Sequence, residues 1–211
     1  MSGPAQPYPV HASLDVEDAK IALRGAIRAA RDTRSERRRD EAARQLADVV
    51  LSIPQVRAAH RVGLYAARPN EPGTKPLMAA LDSLGKEILL PVLGAGLQRD
   101  WALYAGEDDL LQRAPGRPPE PSTPALGAAA LETADVVIAP ALAVDTDGNR
   151  LGQGGGWYDR ALAHVRPGVK VIAVVYPDEI YDATERPLPR EAHDLPVDGV
   201  ATPLEWHWIT R

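Results

Sequence analysis

Residues 148–162 read GNRLGQGGGWYDRAL and combine five glycines with Arg150 and Asp159. Glycines let backbone N–H groups approach an anion closely, because no side chain stands in the way. An arginine can bond two phosphate oxygens at once, and an aspartate can hold the magnesium ion that accompanies a phosphate. The segment therefore predicts a phosphate site, and a flexible loop with a helix-capping aspartate is the alternative.

The glycine spacing matches neither common phosphate-binding fingerprint. No Gly-Lys-Ser or Gly-Lys-Thr step follows, and GQGGGW lacks the last spacing of GxGxxG. An apolar run, ADVVIAPAL, precedes the segment, and a helical pattern begins near Trp157. This order predicts a loop at the open end of a parallel sheet, beside a helix N-terminus, where anions commonly bind.

Four short apolar runs predict the strands of that sheet. They lie at residues 61–67, 87–92, 134–142 and 169–176. Helical patterns occur between them, at 74–85 with Gly85 as a C-terminal cap and at 156–165. Apolar strands that alternate with helices are typical of a parallel sheet covered on both faces. We predict an α/β fold of three αβα layers with a largely parallel, Rossmann-like sheet in a single domain, residues 1–211.

Two further helices are predicted before the first strand. Apolar residues recur at helical spacing from Leu23 to Ala30, beside a cationic stripe. The stripe consists of Lys20, Arg24, Arg28 and Arg31. The sequence TRSE has the Thr33 and Glu36 spacing of a capping box, which predicts a second helix that extends to about Ile53.

The remaining segments predict loops and a sheet edge. Residues 1–13 are rich in proline, serine and glycine and predict a loose tail. Residues 105–130 contain five prolines, which disfavour regular elements and predict a long surface loop that can border a site. Residues 197–211 predict an edge strand whose two tryptophans pack against the body of the protein.

The composition limits the class of protein. The chain has 211 residues, of which 45% are apolar and 25% charged, as in ordinary globular proteins. A net charge of -5 gives no general attraction to nucleic acid or membranes, and no apolar stretch reaches membrane-spanning length. The absence of cysteine excludes disulfides and thiolate chemistry. We expect a cytoplasmic protein with small-molecule ligands. A monomer is favoured, with the oligomeric state left open.

The stretch APALAVDTDGNRLGQGGGWYD resembles the 5-formyltetrahydrofolate cyclo-ligase family, whose members are also called methenyltetrahydrofolate synthetases. The family pattern has apolar residues and proline, then glycine, an Arg-Leu-Gly step, a glycine cluster, an aromatic pair and aspartate. Three weaker matches occur in the family order: KIALR, NEPGT and PREAHDLPVD. The resemblance extends from about Lys20 to Thr202, which is nearly the whole chain.

The resemblance implies a reaction in which ATP and 5-formyltetrahydrofolate give 5,10-methenyltetrahydrofolate, ADP and phosphate, with Mg²⁺ required. The formyl oxygen must become a leaving group, and phosphorylation achieves this. The neighbouring amine nitrogen then attacks the activated carbon, and phosphate departs. A protein promotes such a reaction mainly by positioning the reactants and by stabilising charge on the transferring phosphoryl group.

The same resemblance implies a role for each site residue. ATP would contact the first predicted helix and the glycine segment, through Lys20, Arg24, Arg150, Leu151, Gly152, Gln153, Gly154, Gly155, Gly156, Trp157 and Tyr158. Glu71 and Tyr158 would contact the folate. Asp159 and Asp194 would hold Mg²⁺. Arg150 and Tyr158 would be the catalytic residues.

Three positions depart from the family pattern. Val144 stands where an aromatic residue is common, Trp157 where tyrosine is common, and Asp178 or Glu179 where glutamine is common. A missing ring or an added carboxylate would alter pterin recognition. Two alternatives therefore stay open. One is an ATP-dependent ligase or kinase that acts on another small molecule, and the other is a non-catalytic relative that binds folate or a macromolecule.

Other polar residues are given structural interpretations. We interpret Arg28 and Arg31 as a solvated helix face. His193 predicts a local hydrogen bond, and Asp145 predicts a turn. For Glu120, a loop-anchoring role and a ligand contact are equally open.

Overall fold

The computed structural model describes residues 14–93, 99–113 and 115–210. The α-helices are α1 (Val16–Asp32), α2 (Glu36–Ser52), α3 (Pro54–Ala58), α4 (Lys75–Ser83) and α5 (Trp157–Leu162). The strands are β1 (Arg61–Gly63), β2 (Glu87–Leu93), β3 (Arg99–Leu103), β4 (Val136–Pro140), β5 (Ala143–Asp145), β6 (Arg150–Leu151), β7 (Lys170–Val174), β8 (Ile180–Tyr181), β9 (Gly199–Ala201) and β10 (Trp206–Trp208). Segment 1–13, predicted as a tail, lies outside the described residues.

Seven strands form one sheet in the order β10-β9-β7-β4-β1-β2-β3. The five inner strands are parallel, and β3 and β10 pair antiparallel at the two edges. A second, three-stranded sheet has the order β6-β5-β8. The four predicted strands are thus confirmed as a largely parallel sheet, while the small sheet was not predicted.

Alternate residues of the sheet point to different layers, as the two-residue period of a strand requires. Ile88 and Ile138 belong to the cluster that packs with α2, α3 and α4. Leu89 and Val137 belong to the opposite cluster, which includes residues of α5. The central strands are therefore covered on both faces, and the predicted three-layer αβα fold is confirmed.

α1 packs against the small sheet rather than the large one. Leu23 and Ile27 are buried in a cluster with Leu151 and Tyr181. The side chain of Asp15 caps the first turn by accepting a hydrogen bond from the backbone N–H of Asp18 at 2.8 Å. This docking brings one face of α1 to β6, directly before the glycine-rich segment.

The capping-box prediction for α2 is wrong. α2 begins at Glu36 with Ser35 as its N-cap, and no side chain caps it. Thr33 instead ends α1, where its hydroxyl donates to the Ala30 carbonyl at 2.7 Å. The hydroxyl is thus bonded to a carbonyl of its own helix and does not cap the next one. The Gly85 prediction is confirmed, since Gly85 follows α4 with φ +70°.

The loop and edge predictions are confirmed in the described residues. Within 105–130, excluding residue 114, the regular structure is limited to short 3₁₀ turns and one bridge between Leu111 and Glu120. β10 pairs with β9, and Trp206 donates to the Ser52 hydroxyl at 3.0 Å. In the described part of the chain no helix has the length and apolar character needed to cross a bilayer.

Candidate active site

A cavity of about 420 Å³ lies at the carboxyl ends of the parallel strands. It is bordered by Tyr65 after β1, by the end of β2 and by Pro140 at the end of β4. All of the predicted site residues line it: Lys20, Arg24, Glu71, Arg150, Leu151, Gly152, Gln153, Gly154, Gly155, Gly156, Trp157, Tyr158, Asp159 and Asp194. The fold thus brings together segments from both halves of the chain.

The glycine segment forms the loop between β6 and α5. Gly154 has φ +100° and Gly156 has φ +58°, conformations that other residues rarely adopt. A Cβ atom on Gly152 would lie 2.9 Å from Nη1 of Arg150, so a larger residue there would require the guanidinium to shift. α5 spans six residues, fewer than the predicted 156–165. An anion bound here would therefore rely on the loop and its arginines more than on a helix terminus.

Arg150 is the most enclosed cation of the cavity. Its side chain is 2% exposed, and Nη2 bonds Oδ1 of Asp159 at 2.5 Å. Nη1 donates to the Pro140 carbonyl at 3.3 Å. Within the described residues its Nε is buried without a hydrogen bond. The guanidinium is therefore fixed in place with donor capacity left over.

Lys20 connects α1 to the segment after β8. Its ammonium group lies 2.6 Å from Glu191 and 2.7 Å from Asp194. Burial alone would lower the pKa of Lys20, but the bonds to these carboxylates raise it above its ordinary value. Although burial opposes ionisation, Lys20 and the Glu191 N–H hold the pKa of Asp194 below its usual range. We call Lys20, Glu191 and Asp194 the lysine clasp.

Two arginines of α1 hold the glycine loop. Arg24 Nε donates to the Gly152 carbonyl at 3.1 Å, and Arg28 Nη2 donates to the Gln153 carbonyl at 2.6 Å. Arg28 is exposed, as its interpretation as a solvated residue requires, but it also has this specific partner. The first helix therefore positions the loop through side chains that reach its carbonyl groups.

The interpretation of Arg31 as solvated is wrong. It is buried, and both of its hydrogen bonds to Glu179 measure 2.7 Å. Burial raises the pKa of the Glu179 carboxyl, and the charge and hydrogen bonds of Arg31 oppose this rise. The helical pattern places Arg31 beside Ile27 on the buried face. The predicted cationic stripe therefore contains both exposed and buried residues, with Arg28 exposed and Arg31 buried.

Glu71 and Tyr158, the two residues predicted to contact folate, both line the cavity. Glu71 is 7% exposed and accepts hydrogen bonds from Gln153 at 2.8 Å and from the Arg68 backbone at 2.9 Å. The Tyr158 hydroxyl is buried without a partner among the described residues. Burial raises the pKa of Tyr158 well above its ordinary value, and the charge of Glu71 adds to this. The hydroxyl thus stays protonated and can donate.

The departures from the family pattern fall outside the cavity or fit within it. Val144 is fully buried in the α5-side cluster and does not line the cavity. Asp178 pairs with Arg34 at 2.6 Å, and Glu179 pairs with Arg31. Neither carboxylate lines the cavity. The departures at Val144 and Asp178 therefore give no support to a different small-molecule substrate. Trp157 packs beside Tyr158, with their ring centroids 4.8 Å apart.

The donor set of the cavity fits a magnesium ion. Asp159 bonds Arg150 through Oδ1, and Asp194 bonds Lys20 through Oδ2. In the described part of the chain the second oxygen of each aspartate has no hydrogen bond. Ligand atoms of Glu191, His193 and Asp194 also lie within 4.8 Å of one another. Carboxylate oxygens suit Mg²⁺, which retains several waters, whereas the imidazole does not.

Several residues of this site were not predicted from the sequence. Glu191 shares Lys20 with Asp194, and its spacing of three residues from Asp194 was the available signal. Arg68 and Arg117 also line the cavity, without any sequence signal that marks them. Glu120 anchors its loop by pairing with Leu111, and it also lines the cavity. Both a loop-anchoring role and a ligand contact therefore stay open for Glu120.

One of two structural interpretations agrees with the geometry. Asp145 is buried and accepts hydrogen bonds from the backbone N–H groups of Asp147, Asn149 and Leu188, which is a turn-forming role. His193 is exposed and lies 3.8 Å from Asp194, beyond hydrogen-bond distance. The predicted local hydrogen bond of His193 is therefore not formed among the described residues.

The fold and the cavity together define a class of protein. It is a three-layer α/β protein with a small-molecule site where a glycine loop, flanking arginines and carboxylates meet at the carboxyl edge of a parallel sheet. The chain belongs to the 5-formyltetrahydrofolate cyclo-ligase family, whose sequence pattern matches residues 16–203.

Individual relatives agree with this assignment. The chain is 32% identical over 186 residues to the 5-formyltetrahydrofolate cyclo-ligase of Escherichia coli K12, covering 86% of this chain and 100% of that protein. It is 40% identical over 144 residues to the Mycolicibacterium smegmatis protein of the same name, covering 66% and 71%. The NMR structure of Aquifex aeolicus 5,10-methenyltetrahydrofolate synthetase superposes with a TM-score of 0.76 at 27% identity, covering 91% and 93%.

Proposed function

We propose that this protein converts 5-formyltetrahydrofolate to 5,10-methenyltetrahydrofolate at the expense of ATP, with Mg²⁺ required. The observation that carries the proposal is the convergence of Lys20, Glu71, Asp194 and the glycine loop on one cavity, although they lie far apart in the sequence. The volume of about 420 Å³ is in the range of small-molecule sites. The family membership supplies the reaction.

The phosphates of ATP would bind between α1 and the glycine loop. Arg24 and Lys20 approach from α1, while Arg150 and the loop N–H groups form the opposite wall. Asp159 and Pro140 already hold the Arg150 guanidinium, so little reorganisation is needed when charge develops on the transferring phosphoryl group. Leu151, Trp157 and the remaining loop residues would complete the nucleotide contacts. Arg150 is therefore the leading candidate for transition-state stabilisation.

The folate would bind beside Glu71 and Tyr158. Glu71 uses two of its roughly four acceptor positions within the protein, which leaves two for pterin N–H donors. The neutral Tyr158 hydroxyl can donate to an oxygen of the substrate, and its ring gives an apolar surface. These two residues would orient the formyl group toward the nucleotide.

The charge of the lining favours a divalent cation with the nucleotide. Among the described lining residues, six carboxylates stand against five lysine and arginine side chains. A tetra-anionic ATP therefore meets no net positive charge unless a cation accompanies it. Asp159 and Asp194 would hold Mg²⁺ through their second oxygens. When bound, Mg²⁺ neutralises charge on the phosphate oxygens.

The reaction then proceeds in two displacements. The formyl oxygen attacks the γ-phosphorus, and the bond from that phosphorus to the ADP oxygen breaks. The neighbouring amine nitrogen attacks the formyl carbon, the bond from carbon to the phosphorylated oxygen breaks, and phosphate leaves as the amine loses its proton to solvent. The protein contributes orientation and charge stabilisation to both displacements.

The test is a direct assay of product. Purified protein is mixed with 5-formyltetrahydrofolate, ATP and Mg²⁺, and the near-ultraviolet absorbance of the conjugated methenyl product is followed. Each component is omitted in turn. Product that requires all three supports the proposal. ATP binding with no product from the folate would overturn it, and folate binding with no ATP consumption would indicate a non-catalytic relative.

A further inference from the structure

Gln153 bridges the two halves of the cavity. Its side-chain NH₂ donates to Glu71 Oε1 at 2.8 Å, and its side-chain oxygen accepts from Arg28 Nε at 3.2 Å and Nη2 at 3.1 Å. Glu71 lies after β1, Arg28 lies on α1, and Gln153 belongs to the glycine loop. One side chain therefore connects three separate segments of the site.

The chemistry of its neighbours fixes the orientation of the amide. An ionised carboxylate only accepts hydrogen bonds, and a guanidinium only donates them. A carboxamide has a donor end and an acceptor end, so it can link Glu71 to Arg28 in one orientation only. Methionine has a similar length without these groups, and glutamate would oppose the carboxylate of Glu71 with a like charge.

The loop needs such an anchor because its backbone has little rigidity of its own. Glycines surround Gln153 on both sides, and glycine is the least restricted residue. Arg28 also donates to the Gln153 carbonyl at 2.6 Å, so it bonds both the backbone and the side chain of this residue. Arg24 at Gly152 and Arg28 at Gln153 thus hold the first part of the loop, and Arg160 bonds the Gly155 carbonyl further along at 2.9 Å.

Glu71 depends on the same side chain. It is nearly buried, and its two hydrogen-bond donors are a backbone N–H and Gln153. The backbone donor belongs to Arg68, three residues before Glu71, whereas Gln153 belongs to the glycine loop and would shift with it. Any change in loop position is therefore transmitted to one oxygen of the Glu71 carboxylate.

We propose that Gln153 is a positioning residue that couples ATP binding to folate binding, and that Arg28 holds it in place. The inference rests on the proposed function, in which the loop binds phosphates and Glu71 binds the pterin. A nucleotide that orders the loop then also orients Glu71, and folate bound to Glu71 orders the loop. By linkage, each ligand raises the affinity for the other by the same factor.

Calorimetric titration of the full chain measures this factor. The probes are 5-formyltetrahydrofolate and a non-hydrolysable ATP analogue with Mg²⁺. Each is titrated alone and then in the presence of the other. For the unmodified protein we expect each ligand to tighten the other about fivefold or more, the lower end of typical coupling.

Variants that keep side-chain volume but remove the hydrogen bonds of Gln153 test whether the bridge itself produces the coupling. Gln153→Met should reduce the coupling factor toward 1, and Gln153→Glu should reduce it at least as far while weakening folate binding further. Arg28→Met should act similarly, and combining it with Gln153→Met should add little because both changes break one bridge. Arg37→Met, at an exposed position of α2, is the matched control and should leave the factor unchanged.

Each outcome bears on the inference. A factor that falls with Gln153→Met and Arg28→Met but not with Arg37→Met supports it. The same factor in all proteins, or no coupling in the unmodified protein, overturns it while leaving the proposed function in place. Failure of the unmodified protein to bind the folate at all would overturn both.

Discussion

The Tyr158 hydroxyl is buried without a hydrogen bond in the described residues, although it lines the cavity. A buried hydroxyl without a partner costs stability, so its presence is more easily explained by a ligand than by folding. For Tyr158→Phe we expect the free energy of unfolding to stay within about 0.5 kcal/mol of the wild type, or to rise. We expect kcat/KM for the folate to fall about five- to tenfold, as for one lost hydrogen bond. Urea unfolding and steady-state kinetics measure the two quantities.

Tyr65→Phe is the matched control for stability. The Tyr65 hydroxyl donates to the Pro72 carbonyl at 3.0 Å within the protein. Its removal should therefore cost about 1 kcal/mol. If Tyr158→Phe lost as much stability as this control, the Tyr158 hydroxyl would have a partner in the unliganded protein. An unchanged kcat/KM would remove it from the folate contacts.

Under the proposed function, we expect phosphoryl transfer to depend most on the paired side chains of Arg150 and Asp159. Arg150→Ala removes a fixed donor from the cavity wall, and Asp159→Asn removes a charge with little change of shape. We expect kcat to fall about 100-fold or more for Arg150→Ala, as for other preorganised donors to a transition state. We expect a large loss for Asp159→Asn, with a raised Mg²⁺ requirement. Circular dichroism should show an intact fold, and turnover like that of the wild type in both variants would contradict the site assignment.

α1 is attached to the body of the protein by the buried pair of Arg31 and Glu179 as well as by apolar contacts. Arg31→Met leaves the Glu179 carboxylate buried without its cation. We expect a loss of about 3–5 kcal/mol in the free energy of unfolding, measured by urea denaturation. Since α1 also carries Lys20 and Arg24, ATP affinity should fall with it.

The double variant Arg31→Met with Glu179→Met tests whether the loss comes from the unpaired charge. It removes both charges and keeps apolar volume, so it should recover most of the stability. A double variant as unstable as Arg31→Met alone would show that packing, rather than charge, accounts for the loss. Arg37→Met on the exposed face of α2 should change stability by less than about 0.5 kcal/mol.

Features of the fold that depend on neighbouring residues could be predicted from the sequence. The parallel strands were predicted because β4 and β7 are nearly continuous apolar runs buried on both faces. The glycine segment with its flanking Arg150 and Asp159 was predicted because these residues lie together in the sequence. Lys20, Arg24, Glu71 and Asp194 were predicted only through the family resemblance. The predicted length of α5 was wrong, since only six residues keep helical geometry before the chain turns.

Long-range partners could not be predicted in this way. Arg31 pairs with Glu179, which lies 148 positions away in the sequence. The helical pattern places Arg31 on the buried face of α1 but does not indicate which carboxylate neutralises it. Glu191 joins Lys20 across 171 positions. The small sheet that receives α1 is built from strands of two or three residues, which are too short to give a period.

The lysine clasp ties the beginning of the fold to its C-terminal part, so the stability of the whole molecule depends on the charges of the clasp. The pKa of Asp194 is lowered in the folded protein, so its contribution is present above its ordinary value near 3.8 and is lost as the pH falls through the folded pKa. The pKa of Lys20 is raised above 10.5, so its contribution is present below 10.5 and is lost as the pH rises through the folded pKa. Between about pH 5 and pH 9 both contributions are complete.

Lys20→Met should therefore destabilise the protein most in that central range. The difference in free energy of unfolding between wild type and variant should be nearly constant from pH 5 to pH 9. It should narrow as the pH falls below about 4 and through the lowered pKa of Asp194, and as the pH rises above about 10.5 and through the raised pKa of Lys20. Urea unfolding at a series of pH values measures it. Lys75→Met, which removes an exposed ion pair with Glu107, should show a difference below about 1 kcal/mol throughout. A Lys20→Met difference that did not change with pH would mean that the side chain stabilises the fold by packing and that the clasp charges contribute nothing.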